Sequence, residues 1–290
     1  MDYFLMLLAS GVMVGGIYAL IGVGFVLVYK CSGVFNFAHG AILCLGSFLG
    51  WFFLQQIGLP FWLSILISLA IAVILALIIE RLSLRPLLGE SVLTLIMVTL
   101  ALYIAINGLT TGIWGGSRRG YGEIFPLEPV RIGVLNLSQQ HLITFGIAIV
   151  LFIALALFFR YTRLGLAMRG TAEGHQIVRS MGISVSTIIA AVWAIAGVAA
   201  TISGILLGTI SGVDNTLADM GLKAIPVAFI GGLESIPGAL VGGVIIGIIE
   251  NLVGGYIGHG LGTSVAYMVL VVVLIFKPYG LFGLERIERV

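Results

Sequence analysis

Residues 61–79 read FWLSILISLAIAVILALII and contain no charged side chain. A helix needs about 20 apolar residues to cross the hydrocarbon core of a bilayer, so this stretch is long enough to span it. Backbone N–H and C=O groups find no water inside lipid, which makes such a span helical. The whole 290-residue chain has the same character, with 60% hydrophobic and 9% charged residues. Soluble domains carry about 25% charged residues, so the sequence predicts an all-α, polytopic integral membrane bundle.

The positions of the charged residues divide the chain into further apolar stretches. Spans are predicted at 4–29, 37–56, 61–80, 92–113, 141–159 and 188–212, with two or three more in 221–276. That makes about eight transmembrane helices in a single domain covering 1–290. Glycine and proline interrupt the apolar run, so short or broken helices are expected at 221–258.

Basic residues predict the orientation. Seven of them, from Lys30 to Arg179, fall in loops of one parity, whereas three fall in the longer loop 114–140. The positive-inside rule places the first set in the cytoplasm. Loop 160–187 and the C-terminal tail are then cytoplasmic, and the N-terminus and loop 114–140 are extracytoplasmic. A cytoplasmic tail requires an even number of crossings after residue 187, so 221–257 would have to cross twice.

Glycine spacing predicts how the helices pack. The chain has 41 glycines, and many lie four residues apart, as Gly11 and Gly15 or Gly243 and Gly247 do. Small residues at this spacing line one helix face and let neighbouring backbones approach closely. Asn107, Thr110 and Thr111 close the fourth span and are expected to meet the outer membrane interface.

Two interruptions of the apolar pattern suggest a substrate path rather than packing alone. Broken helices at membrane depth occur against protein or a water-filled cavity, and in transporters they often build the substrate path. The candidates for a translocation pathway or gate are Asn36, His39, Gly40, Gly231, Gly232, Ser235 and Pro237. Glu250 joins them as the carboxylate within the apolar stretch 235–276. It could equally sit in water near the headgroups or help the assembly to pack.

Motifs for catalysis are missing from the sequence. It contains no H-E-x-x-H, no G-x-S-x-G and no G-x-x-x-x-G-K-[ST], so the chain is not expected to be an enzyme or to hydrolyse ATP itself. A net charge of +2 does not indicate the strongly basic surface that binds nucleic acid. Cys31 and Cys44 make neither a disulfide framework nor a metal site. No cofactor is predicted.

Segment 160–187 is long for a cytoplasmic turn. Ile177, Met181 and Ile183 form an apolar stripe beside charged residues, which predicts a short amphipathic helix ended by Gly182. Such a helix would dock a cytoplasmic partner or lie on the lipid surface. The residues alone do not separate these two interpretations.

Four segments of the chain carry a family resemblance. They are GIYALIGVG at 16–24, NFAHG at 36–40, GGLESIPGA at 231–239 and KPYGLFG at 277–283. Taken in this order, they make the chain resemble the LivH-type permease subunits of ABC importers for branched-chain amino acids, along nearly its whole length.

The resemblance implies a role and a set of partners. Such a subunit lies in the cytoplasmic (inner) membrane of a bacterium or archaeon and pairs with a second, LivM-like permease. Two ABC ATPase subunits drive it, and an extracytoplasmic binding protein delivers a branched-chain or related hydrophobic amino acid. The resemblance makes 160–187 the coupling segment, with Arg169, Glu173, Ile177, Met181 and Gly182 as its contact residues. Urea, short amides or other amino acids remain alternative substrates, a homodimer remains an alternative to the heterodimer, and a stand-alone carrier or channel is the alternative class.

Overall fold

The computed structural model describes residues 2–87, 89–126, 128–132 and 135–283. Its composition of 80% helix and 3% strand confirms the predicted all-α class. In chain order the helices are α1 Asp2–Ser32, α2 Ala38–Trp51, α3 Phe61–Ile79, α4 Val92–Trp114, α5 Gln139–Tyr161, α6 Arg163–Glu173, α7 His175–Ser180, α8 Val185–Ser211, α9 Thr216–Leu222, α10 Ala224–Gly231, α11 Ile236–Tyr256 and α12 His259–Phe276.

Irregular turns prolong two of these helices. A π-helical turn, Phe52–Gln56, follows α2, and the turns Glu80–Leu84 and Arg85–Leu87 follow α3. The two strands, β1 Pro129–Ile132 and β2 Leu135–Ser138, pair antiparallel within the predicted extracytoplasmic loop.

Seven helices of the described chain are long and apolar enough to cross a membrane: α1, α2 and α3 with their added turns, α4, α5, α8 and α11. A shorter apolar helix, Gly260–Phe276, adds an eighth candidate. The six spans predicted before residue 221 are therefore confirmed, although the third continues to Leu87. The predicted broken region is present from 221 to 235, whereas Ile236–Tyr256 is one continuous helix.

The chain divides into two compact units that interleave in sequence. The first comprises Met1–Val26, Phe125–Ile149 and Lys223–Val290, and the second comprises Leu27–Ile124 and Val150–Leu222. Helices α1 and α5 therefore begin in the first unit and end in the second.

In the first unit, glycines bring α1 and α11 into backbone contact. A Cβ atom on Gly15 would lie 2.7 Å from the carbonyl oxygen of Gly243, and one on Gly11 would lie 2.8 Å from that of Gly247. These contacts confirm that the glycine spacing is a packing signal. The Tyr3 hydroxyl donates to the carbonyl of Gly255 at 3.1 Å. The two helices therefore run antiparallel.

The C-terminal tail closes the opposite end of this unit. The Leu281 N–H donates to the Ile230 carbonyl at 2.8 Å, and the Phe282 N–H donates to the Gly231 carbonyl at 3.1 Å. The tail thus meets the turn that begins α11, whereas the N-terminus meets the end of α11. The N-terminal residues and the tail therefore contact opposite ends of α11.

The length of α10 bears on the predicted double crossing by 221–257. With 1.5 Å of rise per residue, the eight residues of α10 cover about 12 Å, less than half of the ~30 Å core. Helix α10 therefore cannot cross alone, as a double crossing by 221–257 would require.

In the second unit, α2 is the central helix and is buried along nearly all of its length. It packs against α8, α4, α9 and α3. By contrast, α3 and α4 leave large apolar side chains such as Leu66, Ile74 and Ile104 exposed. Exposed apolar faces on long apolar helices fit lipid as the surrounding solvent.

Candidate functional site

Helix α6 opens the predicted coupling segment and is anchored by its own first turn. The Thr162 hydroxyl accepts a hydrogen bond from the Gly165 N–H at 3.0 Å, which caps the helix. A Cβ atom on Gly165 would meet the Phe159 carbonyl at 2.4 Å, so α6 leaves the end of α5 in a tight turn. Met168 is buried, and its carbonyl accepts a hydrogen bond from the Cys31 thiol. The base of the coupling segment is therefore fixed to the second unit.

Helix α7 is the predicted short helix, and it ends where the sequence indicates. Gly182 has φ +76°, the left-handed conformation that glycine adopts at helix ends. Its N–H donates to the Arg179 carbonyl at 3.0 Å. A Cβ atom at Gly182 would meet nothing within 4 Å. A larger residue there would be strained by its backbone conformation alone.

The side chains at and after α7 differ in exposure. Val178 is the buried residue, whereas Met181 is 72% exposed. The side chain of Ile177 lies outside the described residues. Glu173 is exposed, and Arg169 is half-buried. Sequence reasoning did not name Val178, the side chain of α7 that packs inward.

A cavity of about 520 Å³ adjoins α7 in the second unit. Its lining comes from the end of α1, the start of α4, helix α7 and the first residue of α8. Glu90 and Arg179 place opposite charges on its wall.

The NFAHG segment lies inside the packed part of the second unit. Asn36 and His39 are 2% and 0% exposed. A Cβ atom on Gly40 would meet the Ala218 carbonyl at 2.5 Å, and one on Gly221 would meet the Gly40 Cα at 2.6 Å. The start of α2 thus touches α9 backbone to backbone, which explains why glycine stands at both positions.

The GGLESIPGA segment forms the turn between α10 and α11. Gly231 and Gly238 are in backbone contact, since a Cβ atom on Gly238 would lie 2.1 Å from the Gly231 carbonyl. Gly232 has φ +100°. The Ser235 hydroxyl caps α11 by accepting from the Gly238 N–H at 3.0 Å, and Pro237 occupies the first turn. The KPYGLFG tail bonds to this turn, so two of the four family segments interlock.

Glu250 belongs to a buried cluster in the first unit. Its Oε1 lies 2.5 Å from Nζ of Lys223, and the side chains of Glu250 and Lys223 are 16% and 5% exposed. Tyr18 on α1 also interacts with the Glu250 carboxylate. Glu250 therefore does not stand in water at the headgroups. Sequence reasoning missed Lys223 because it lies in the break before α10, 27 residues from its partner.

One end of the second unit is held by the loop after α4. Arg119 stacks on Trp51, and the backbone of Arg119 pairs with that of Val213. The buried Tyr121 hydroxyl donates to the Ser47 carbonyl at 2.6 Å. Burial raises the pKa of Tyr121 well above its ordinary value, which keeps the hydroxyl protonated. A cavity of about 370 Å³ opens beside Arg118 and Arg119.

Polar side chains also pair between α4 and α9. The Tyr103 hydroxyl donates to Oδ1 of Asp219 at 2.7 Å, and the Asn215 amide donates to the Thr111 hydroxyl at 2.9 Å. Thr111, near the end of α4, thus bonds within the protein. Within the described ranges, no three His, Cys, Asp or Glu side chains come together as metal ligands would.

Several known permeases are similar to this chain in sequence. The chain is 30% identical over 303 residues to the high-affinity branched-chain amino acid transport system permease protein LivH of Escherichia coli K12, covering 99% of this chain and 98% of that protein. The corresponding permease protein BraD of Pseudomonas aeruginosa matches with the same identity and coverage. The fructose import permease protein FruF of Bifidobacterium longum is 26% identical over 89% of this chain and 73% of its own length.

A solved structure supports the fold. PsaBC from Streptococcus pneumoniae in complex with Fab aligns with a TM-score of 0.52 at 15% identity, covering 96% of this chain and 92% of that one. The sequence model of the family described as branched-chain amino acid transport system / permease component matches residues 7–277. With its long apolar helices and this match, the chain belongs to that family, which is one of multi-pass membrane permeases and not of enzymes.

Proposed function

We propose that the chain is the LivH-type permease subunit of an ABC importer for branched-chain or related hydrophobic amino acids. It pairs with a second, LivM-like permease and carries no catalytic activity. Two ATPase subunits supply the energy, and an extracytoplasmic binding protein delivers the substrate. The observation that carries this proposal is the family match over residues 7–277, together with 30% identity to permeases of branched-chain amino acid systems.

Coupling to the ATPases is assigned to α6 and α7. Thr162, Gly165 and Val178 fix these helices to the second unit, so a displacement of α7 is transmitted to the membrane helices. The exposed Met181 offers an apolar contact, and Glu173 and the half-buried Arg169 on α6 offer charged ones. Ile177 and Gly182 complete the contact residues. An exposed methionine at a helix end flanked by both charge signs favours a protein partner over a lipid surface.

The pathway candidates are proposed to act as pivots of a gate. Gly40 and the pair Gly231–Gly238 allow backbone contacts that larger residues would prevent. Asn36 and His39 hold the start of α2, while Gly232, Ser235 and Pro237 hold the start of α11. Two-state importers need helices that tilt without unpacking, and smooth glycine contacts suit that motion. Glu250, paired with Lys223, fixes α11 to the break before α10.

The test uses the complete transporter in proteoliposomes, with Gly182→Val as the variant and Gly182→Asn as the matched control. Valine is strained at φ +76°, whereas asparagine tolerates it. We expect the valine variant to lose most of its ATP-driven leucine uptake while ATP hydrolysis continues, and the asparagine variant to keep it. Normal uptake by the valine variant would contradict the coupling assignment.

The choice of substrate and the class of transporter are tested in separate experiments. Uptake of leucine, isoleucine, urea, acetamide and fructose is compared in the same proteoliposomes. The proposal expects the amino acids to be taken up and the others not. Fructose uptake would favour the sugar specificity named for FruF. Accumulation by the purified chain alone on an ion gradient would favour a stand-alone carrier.

A further inference from the structure

One face of α4 carries three hydrogen-bonding side chains in a mainly apolar helix. Tyr103, Asn107 and Thr111 lie four residues apart and therefore share a face. Asn215, in the turn before α9, and Asp219, in α9, have the same spacing. We name these five residues the polar ladder.

The two sides of the ladder are bonded to each other. Thr111 accepts from Asn215 at one end, and Tyr103 donates to Asp219 at the other. Between these two contacts lies Asn107, whose Oδ1 atom is buried and accepts no hydrogen bond among the described residues. The ladder is therefore a continuous polar strip with unused acceptor capacity.

The ladder reaches the middle of the bilayer. Tyr103 is the twelfth of the 23 residues of α4, which places it about 17 Å from either helix end. Its hydroxyl bonds to Asp219, so this carboxylate also lies near the midplane. Thr111 lies near the outer end, close to Trp114, whose carbonyl accepts from Arg119 of the extracytoplasmic loop.

Asp219 is exposed at this depth. A carboxylate at the centre of a membrane is costly against lipid and normally faces a water-filled cavity or a bundle interior. The ion pairs of the described chain are Arg85–Glu80 and Lys223–Glu250, and Asp219 belongs to neither. The surface that carries Asp219 therefore does not face lipid.

We infer that the polar ladder lines the outer half of the translocation pathway and that Asp219 binds the ammonium group of the amino-acid substrate. This inference rests on the proposed function. A carboxylate accepts about four hydrogen bonds, of which Tyr103 supplies one, and an ammonium group donates three. Asn107 lies within the same strip and offers a further acceptor. The substrate class is thus a zwitterion whose ammonium group enters first along the polar strip.

The first experiment tests whether water reaches the ladder. Asn107→Cys is made in a chain whose buried Cys31 and Cys44 are replaced by alanine, and a membrane-impermeant maleimide is added from outside to the assembled transporter. The matched control is Ile104→Cys, at nearly the same depth and 70% exposed in the apolar part of α4. We expect labelling at position 107 and none at 104. Absence of labelling at both positions would overturn the pathway assignment.

The second experiment tests the ammonium contact. Asp219→Asn keeps the size of the side chain but removes its charge, and Asp219→Glu restores the charge. Loss of a charged hydrogen-bond acceptor predicts at least about a tenfold fall in leucine uptake for the asparagine variant, with partial rescue by glutamate. Co-purification of the second permease should stay unchanged.

The outcomes separate the inference from the proposed function. Normal uptake by Asp219→Asn overturns the inference while leaving the importer intact. Loss of the second permease from the purified Asp219→Asn complex would instead make the ladder a subunit interface and overturn it as well. If the unmodified transporter takes up no amino acid, the proposed function itself fails.

Discussion

The two units treat a membrane carboxylate in opposite ways. In the first unit, Glu250 is neutralised by Lys223 at 2.5 Å and further contacted by Tyr18. In the second, Asp219 bonds to the uncharged Tyr103 and remains exposed. A buried charge can have a structural role when it is paired, because the opposite charge offsets the free-energy cost of removing it from water. An exposed charge needs water, a ligand or a partner, and so indicates function.

The largest expected effect comes from breaking the pair in the first unit. Lys223→Met leaves the Glu250 carboxylate buried without its cation, and a loss of about 3–5 kcal/mol of stability is expected for such a break. Thermal unfolding of the purified protein in detergent measures it. The double variant Lys223→Met with Glu250→Met removes both charges and should recover most of the loss. A single variant as stable as the parent would show that the pair contributes nothing to the fold.

Next in size is the backbone contact between Gly231 and Gly238. Gly238→Ala places a methyl group about 2.1 Å from the Gly231 carbonyl, so overpacking should cost about 1–3 kcal/mol. Gly108→Ala on α4 is the control, because a Cβ atom there meets nothing within 4 Å. The control should be neutral or slightly stabilising, since alanine favours a helix over glycine. Equal melting temperatures for the two variants would contradict the contact.

A smaller effect is expected at two helix caps, one in each unit. Ser235 caps α11 and Ser91 caps α4, each through its hydroxyl and the backbone N–H three residues later. Replacing either serine by alanine should cost about 1 kcal/mol. Unfolding measurements on both variants compare the two units directly. A much larger loss for Ser235→Ala would mean that this serine also supports the interlocked tail.

The smallest effect on stability is expected from removing the hydrogen bond between Tyr103 and Asp219. This hydrogen bond is exposed, so Tyr103→Phe should lower stability by less than about 1 kcal/mol. The small loss for Tyr103→Phe contrasts with the large loss expected for Lys223→Met. The contrast distinguishes a contact needed for function from one needed for stability. A loss of several kcal/mol would assign the ladder to the packing of the second unit.

Sequence reasoning succeeded where the signal is local. The spans follow from runs of apolar residues, and the end of α7 follows from Gly182, whose conformation suits glycine. Sequence reasoning did not identify the buried face of α7, on which Val178 lies, because a six-residue helix has too few positions for periodicity to identify such a face.

The sequence by itself determined that this chain is a helical membrane protein. Its apolar stretches are long enough to cross a bilayer, and the backbone groups of such stretches can form all their hydrogen bonds in lipid only as helices. The sequence also determined the family, through four short segments. Only the tertiary structure decided that two of those segments bond to each other, that Lys223 neutralises Glu250 and that Tyr103 meets Asp219. The last two contacts join residues 27 and 116 positions apart. Charge pairing depends on distance in space, and no periodicity along the chain encodes that distance.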